Sequence, residues 1–190
     1  MGLDMFLDKC NRKAWGYKGM DIDKIKVDMP ALYEELKPLI VMRGEYHPWE
    51  SFFIEVGYWR KANAIHKWFV DNVQDGVDDC AYYEVSKEQL EELLDVCMTI
   101  KKNSKMKKGK IQNGTTMKDG KWVPIMEDGA YIENPEVAAE LLPTQSGFFF
   151  GSTEYDEWYM QEITDTIAIL TKALETTDFD REMVVYSASW

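Results

Sequence analysis

Histidine and cysteine are the scarcest reactive residues here, with two and three in 190. His47 and His66 are nineteen positions apart in a chain with no third histidine, which excludes a histidine-rich metal site. Cys10, Cys80 and Cys97 form no CxxC pair, and their odd number makes no closed disulfide framework. Each is expected to be a small buried hydrophobe rather than a nucleophile. No apolar run approaches the roughly 20 residues that span a bilayer. The opening MGLDMFLDKC lacks the basic start and long apolar stretch of a secretory leader. The expectation is a cytoplasmic protein with no membrane partner. No Walker loop, GxGxxG, HExxH or GxSxG string occurs, so nothing calls for a cofactor. The run Asp71, Asp75, Asp78 and Asp79 lacks the ligand spacing of a calcium loop, and no metal site is expected.

Positive charge is also short, with 22 Lys and Arg against 34 Asp and Glu, for a net −12. The imbalance is uneven. Residues 101–121 hold eight lysines against Asp119, a net +7, which leaves −19 on the rest of the chain. Such a body repels nucleic acid and excludes direct binding of DNA or RNA over the main surface. It suits either plain solubility or docking on a basic surface of another protein.

What is abundant is apolar and aromatic surface, 45% and 13% of residues, enough for one well-filled core and against disorder. The densest stretch is 55–73, EVGYWRKANAIHKWFVDNV. Tyr58, Ala62, Ile65, Phe69 and Val73 recur at steps of three and four, the mark of a helix with one buried stripe. Gly57 leaves its start open, with 52–56 either a short strand or one more helical turn. On the helical reading Glu55, Trp59, Asn63 and His66 make a second row, with Tyr58 and Arg60 beside it. Together these six can hold a planar polar ligand such as a nucleotide. Alternatively the row packs against a neighbouring element, its polar groups bonded to backbone. A hydrolase would use His66 as base, oriented by Glu55 or Asp79, with Arg60 or Lys61 holding an anion.

Elsewhere the alternation of residues 1–9 predicts a half-buried strand, and 10–24 reads as a loop. Pro30 opens a short helix through Leu32, Leu36 and Leu39. The segment 43–49, with His47, reads as a loop, and 80–85 as a strand. Ser86 and Gln89 form a capping box for a helix with Leu90, Leu93, Leu94, Cys97 and Ile100 inward. A mobile lysine-rich loop with a small hairpin is expected at about 101–125, from Asn113-Gly114 and Asp119-Gly120. A short helix is expected over 135–142, and a strand buried on both faces at Phe148, Phe149 and Phe150. Thr153 and Asp156 carry the capping signature of a last helix with Tyr155, Tyr159, Ile163, Thr166, Ile167, Leu170 and Leu174 inward. The tail 184–190 alternates as a strand that pairs with the first or with 147–151. The sum is a single α+β domain over 1–190, a mainly antiparallel sheet of four to five strands packed by three main helices.

The strings MGLDM, EVGYWRKANAIHKWFVDNV and LPTQSGFFFG resemble an uncharacterised family of bacteriophage and prophage proteins. The resemblance implies an accessory protein in the host cytoplasm. By analogy with other small acidic phage proteins, it would bind and inhibit a host protein complex with a basic surface, including nucleic-acid-handling defence systems. It transfers no site residues.

Overall fold

The computed structural model describes residues 2–44, 49–147 and 149–190. In chain order come β1 (Asp4–Asn11), α1 (Ile22–Asp28), α2 (Pro30–Leu36), β2 (Val41–Met42), β3 (Glu50–Ser51) and β4 (Ile54–Arg60). Then follow α3 (Asn63–Asn72), β5 (Tyr83–Val85), α4 (Lys87–Asn103), β6 (Met106–Lys118) and β7 (Lys121–Ile132). The chain ends with α5 (Glu136–Leu141), α6 (Glu157–Thr176) and β8 (Glu182–Ser189). The central sheet is antiparallel in the order β4-β1-β8-β5. The last strand therefore pairs with the first, and Gly147 and residues 149–151 lie outside the sheet.

Alternate residues of β8 go to different cores. Val184, Tyr186 and Ala188 pack with α3, α4 and α6, whereas Met183 and Val185 pack with Ile22 and Ile25 of α1 and Leu36 of α2. The sheet is covered on both faces, and the two cores share it as one domain. This corrects the half-buried reading of the first strand. Leu7, Asp8, Lys9 and Cys10 are all buried in sequence, because helices lie on either side.

Residues 54–60 are a strand, not the start of a helix. The ladder from Asp4↔Arg60 to Lys9↔Ile54 supplies partners for their backbone groups, and Tyr58 and Trp59 suit a strand. The helix waits until Asn63, after Lys61 takes a left-handed φ of 63°. Gly57 is required for packing: a Cβ there would lie 2.2 Å from Ile169 of α6. Its absence lets α6 press directly on β4.

Helix α4 carries both halves of its capping box, Ser86 and Gln89. Helix α6 is capped by Asp156 itself, whose side chain accepts from Trp158 N and Tyr159 N, so Thr153 is not the cap. Helix α1 begins inside the stretch 10–24 read as loop and runs on past it to Asp28, started by Asp21, which accepts from Lys24 N. Residues 106–132 form a long two-stranded ribbon instead of a loose loop and a small hairpin. Asp119 and Gly120, with φ of 50° and 74°, make its tight turn, while Asn113-Gly114 falls in a register shift along the ladder. Its lysines are partly neutralised in place: Lys105 and Lys107 share Glu133, and Lys110 meets Asp128.

The expected triple-phenylalanine strand does not form. Phe149 is exposed with a φ of 61°, and Phe150 is buried. Phe148 and His47 lie outside the described residues. Cys10 and Cys97 are buried as expected, but Cys80 is exposed.

Candidate ligand cleft

The six residues singled out in the sequence do not line one surface. Tyr58 and Arg60 share the sheet face that carries Asp4: the Tyr58 hydroxyl donates to Asp4 Oδ1, and Arg60 Nε lies 3.9 Å from it. Burial and Asp4 push the Tyr58 phenol up to about 12. Glu55, on the same strand, is half-buried beside Gly44. Trp59 points the other way, into the core, where its Nε1 donates to Thr166 Oγ1 at 2.9 Å. Thr166 in turn donates to the Glu162 carbonyl oxygen.

Asn63 is sealed and fully used. Its Nδ2 donates to Phe150 O at 3.2 Å and Ser152 O at 2.8 Å, and its Oδ1 accepts from Gln145 N at 2.8 Å. One amide thereby pins both limbs of the loop 143–152.

His66 is 0% exposed. Its Nδ1 meets the Tyr186 hydroxyl at 2.7 Å and its Nε2 meets Asp78 Oδ1 at 3.0 Å. Burial lowers its pKa below 6.5, against the opposing pull of Asp78, so the ring is neutral near pH 7. A carboxylate only accepts, so Nε2 carries the proton and the Tyr186 hydroxyl donates to Nδ1. The partner is Asp78, neither Asp79 nor Glu55, and the Phe150 and Trp190 rings close over the imidazole. A base sealed in this way has no substrate to reach.

A different site stands at the end of β4. Arg60 and Lys61, the start of α6, Thr144, residues 151–154 and the bulged part of β6 enclose a cleft of about 580 Å³. That size falls in the range of small-molecule sites. Two left-handed residues shape its edge, Lys61 and Gly151, the latter with a φ of 98°. A Cβ on Gly151 would come within 2.9 Å of Lys61 O, so the loop can approach β4 only with glycine there. Asn63 holds this loop from behind.

The cleft gathers groups of opposite character. Arg60 and Trp158 are largely exposed on its walls. Asp156, 1% exposed, spends Oδ1 on the amides of Trp158 and Tyr159, while its Oδ2 has no hydrogen-bond partner among the described residues. Burial raises its pKa in spite of those two amide bonds. Glu162 is pushed up to about 8, first by burial and then by the charges of Asp156 and Asp165. It is therefore largely a neutral carboxylic acid at pH 7, offering one donor and one acceptor side by side. Perturbed carboxyls in a cleft mark a candidate functional site.

Of these groups only Arg60 and Lys61 were named from sequence. Asp156 showed only as a helix cap. Glu162 left a faint signal, a carboxyl adjoining the inward stripe at Tyr159, Ile163 and Thr166 of the cleanest helix in the chain.

Comparison with protein-family models, curated proteins and solved structures finds no match. Among the described residues no group of three or more His, Cys, Asp or Glu is placed to hold a metal ion. No helix among them is long and apolar enough to cross a membrane.

Proposed function

We propose that the protein binds a small anionic molecule in the cleft at the end of β4. The observation that carries this reading is the meeting of Arg60 and Lys61 with a partly desolvated polar wall, where Asp156 Oδ2 has no hydrogen-bond partner among the described residues, in one 580 Å³ space. Two adjacent cations suit a phosphate or carboxylate, and buried polar atoms without protein partners gain most from a ligand that supplies them. His66, sealed elsewhere, has no part in it, and no catalytic step is assigned. Calorimetric titration with inorganic phosphate, ribose 5-phosphate and nucleoside monophosphates tests the proposal. Binding to at least one is expected, weakened about tenfold or more, roughly 1.4 kcal/mol, when Arg60 and Lys61 are both replaced by alanine. Absence of binding to all three classes overturns it.

A second reading rests on the acidic body and the phage resemblance: an accessory protein that docks on a basic surface of a host protein complex. Its supporting observation is the outer side of α4, where Glu88, Glu91, Glu92 and Asp95 are all exposed at helical spacing. Acidic side chains also occur on α1 and α2 across the sheet, so the stripe on α4 is one part of a distributed charge. A basic host protein recovered at low salt, released by added salt and lost with Glu88→Lys/Glu92→Lys/Asp95→Lys supports this reading. Recovery that ignores the triple substitution sinks it.

A further inference from the structure

Trp158 and Glu162 are four residues apart on α6, so they are neighbours on one side of the helix, roughly 5–6 Å between Cβ atoms. Both line the cleft. Trp158 is 52% exposed, an indole face of a kind that stacks on planar rings. Glu162 makes no hydrogen bond or ion pair through its carboxyl among the described residues. A ring laid on Trp158 therefore presents its edge toward that carboxyl, while a substituent reaching to the β4 end meets Arg60 and Lys61.

From this arrangement we infer that the ligand is a nucleotide: its base stacks on Trp158, the Glu162 carboxyl meets a base edge, and its phosphate sits on Arg60 and Lys61. The inference rests on the cleft being the binding site. A neutral carboxylic acid has the donor–acceptor pattern of a glutamine amide, the group that pairs in bidentate fashion with adenine N6 and N7. Ionised Glu162 would offer acceptors only and would repel the acceptor half of that edge. The charged and titratable groups around it are Asp165 on α6, its cap Asp156 and Glu154 before it, and Arg60 and Lys61 at the end of β4. Tyr159 lines the same floor, and the hairpin contributes the uncharged Gln112 and Asn113. Burial favours the protonated form, and the charges of Asp156 and Asp165 add to it.

The test compares adenosine monophosphate with ribose 5-phosphate by calorimetry at about pH 6.5 and about pH 9.5. Both ligands share the titration of the phosphate, so their affinity ratio isolates the base. In the unaltered protein the nucleotide is expected to bind at least about tenfold more tightly at the lower pH, and the ratio to fall several-fold at the higher. Glu162→Gln, which fixes the neutral pattern, should make the ratio independent of pH. Trp158→Ala should abolish the preference at both values. Equal binding of the two ligands overturns the base-reading inference and leaves the anion cleft standing. A preference for the nucleotide that does not vary with pH, or that declines equally in Glu162→Gln, removes Glu162 from it. No binding of either ligand defeats this inference, and silence with inorganic phosphate as well defeats the anion cleft.

Discussion

Two clusters of buried polar groups lie within a few residues of each other in this fold, and they differ in how far the protein satisfies them. In the core, the imidazole of His66, the indole N–H of Trp59 and the amide of Asn63 are all partnered by protein atoms. In the cleft, Asp156 Oδ2 is buried without such a partner among the described residues, and the Glu162 side chain is half-buried beside it. A buried polar group that is fully bonded holds the fold together, whereas one left unbonded costs free energy that a ligand can recover. The residue types that look most chemical in the sequence belong to the first cluster. Those best placed for function belong to the second.

If that distinction is right, the satisfied cluster is where substitution costs most stability. Asn63→Leu should have the largest effect, since it leaves the buried Phe150 carbonyl and the part-buried Gln145 amide and Ser152 carbonyl without their partner. A loss of about 3 kcal/mol is expected, or roughly 6–12 °C in melting temperature for a chain of this size. Chemical denaturation monitored by tryptophan fluorescence measures it. A loss under about 0.5 kcal/mol, ordinary for a surface site, would put Asn63 outside the framework of the loop.

His66→Ala comes next, at about 2–3 kcal/mol, because it opens a cavity and strands Tyr186 and Asp78. The histidine also sets an acid limit. Its pKa is lowered in the folded state, so the unfolded chain takes up the proton first as pH falls through about 6.5. The stability it contributes is present above that value and is lost as pH drops through its lower folded pKa. Melting temperatures over about pH 4.5–7.5 should show this decline in the natural protein and a shallower one in His66→Phe. Gly57→Ala should cost about 1–3 kcal/mol, through the clash with Ile169, without altering ligand binding in the cleft. A stable Gly57→Ala protein would mean that α6 can shift away from β4 at little cost.

Features decided over three or four residues were legible in the sequence. The capping box of Ser86 and Gln89, the inward stripe of α6 and the Asp119-Gly120 turn all have local causes. What escaped depends on distant partners. Residues 55–60 fit a helical period as well as a strand, and only the ladder with β1, some fifty positions away, decides between them. The hairpin was underestimated because 106–118 is rich in lysine, glycine and threonine, and its order comes from pairing with β7. Phe149 and Phe150 read as strand until Asn63, nearly ninety positions earlier, is seen to hold that loop. The cleft was invisible for the same reason. Its walls come from β4, β6, a loop and α6, and no single stretch contains more than part of it.

The smallest expected effect concerns Glu162, and its sign is opposite to that of His66. Its carboxyl titrates near 4.5 in the unfolded chain and at about 8 in the folded protein, so between these values the folded state holds the extra proton. The associated stability is complete below about pH 4.5, declines as pH rises, and is gone above about pH 8. Glu162→Gln removes the titration while keeping the shape. Its melting temperature should match the natural protein near pH 4.5 and exceed it above pH 8; because solvent screens this half-exposed side chain, the gain is a few degrees for roughly 1 kcal/mol, well below the full cost of the shift. A substitution that stabilises only at alkaline pH would locate the cost of an ionised carboxylate in the cleft. A bound ligand that needs the protonated form should hold the proton on more tightly and move the onset of the difference to higher pH. Identical curves at every pH, with and without adenosine monophosphate, would show instead that water already satisfies Glu162, and the contrast between the two clusters would then rest on Asp156 alone.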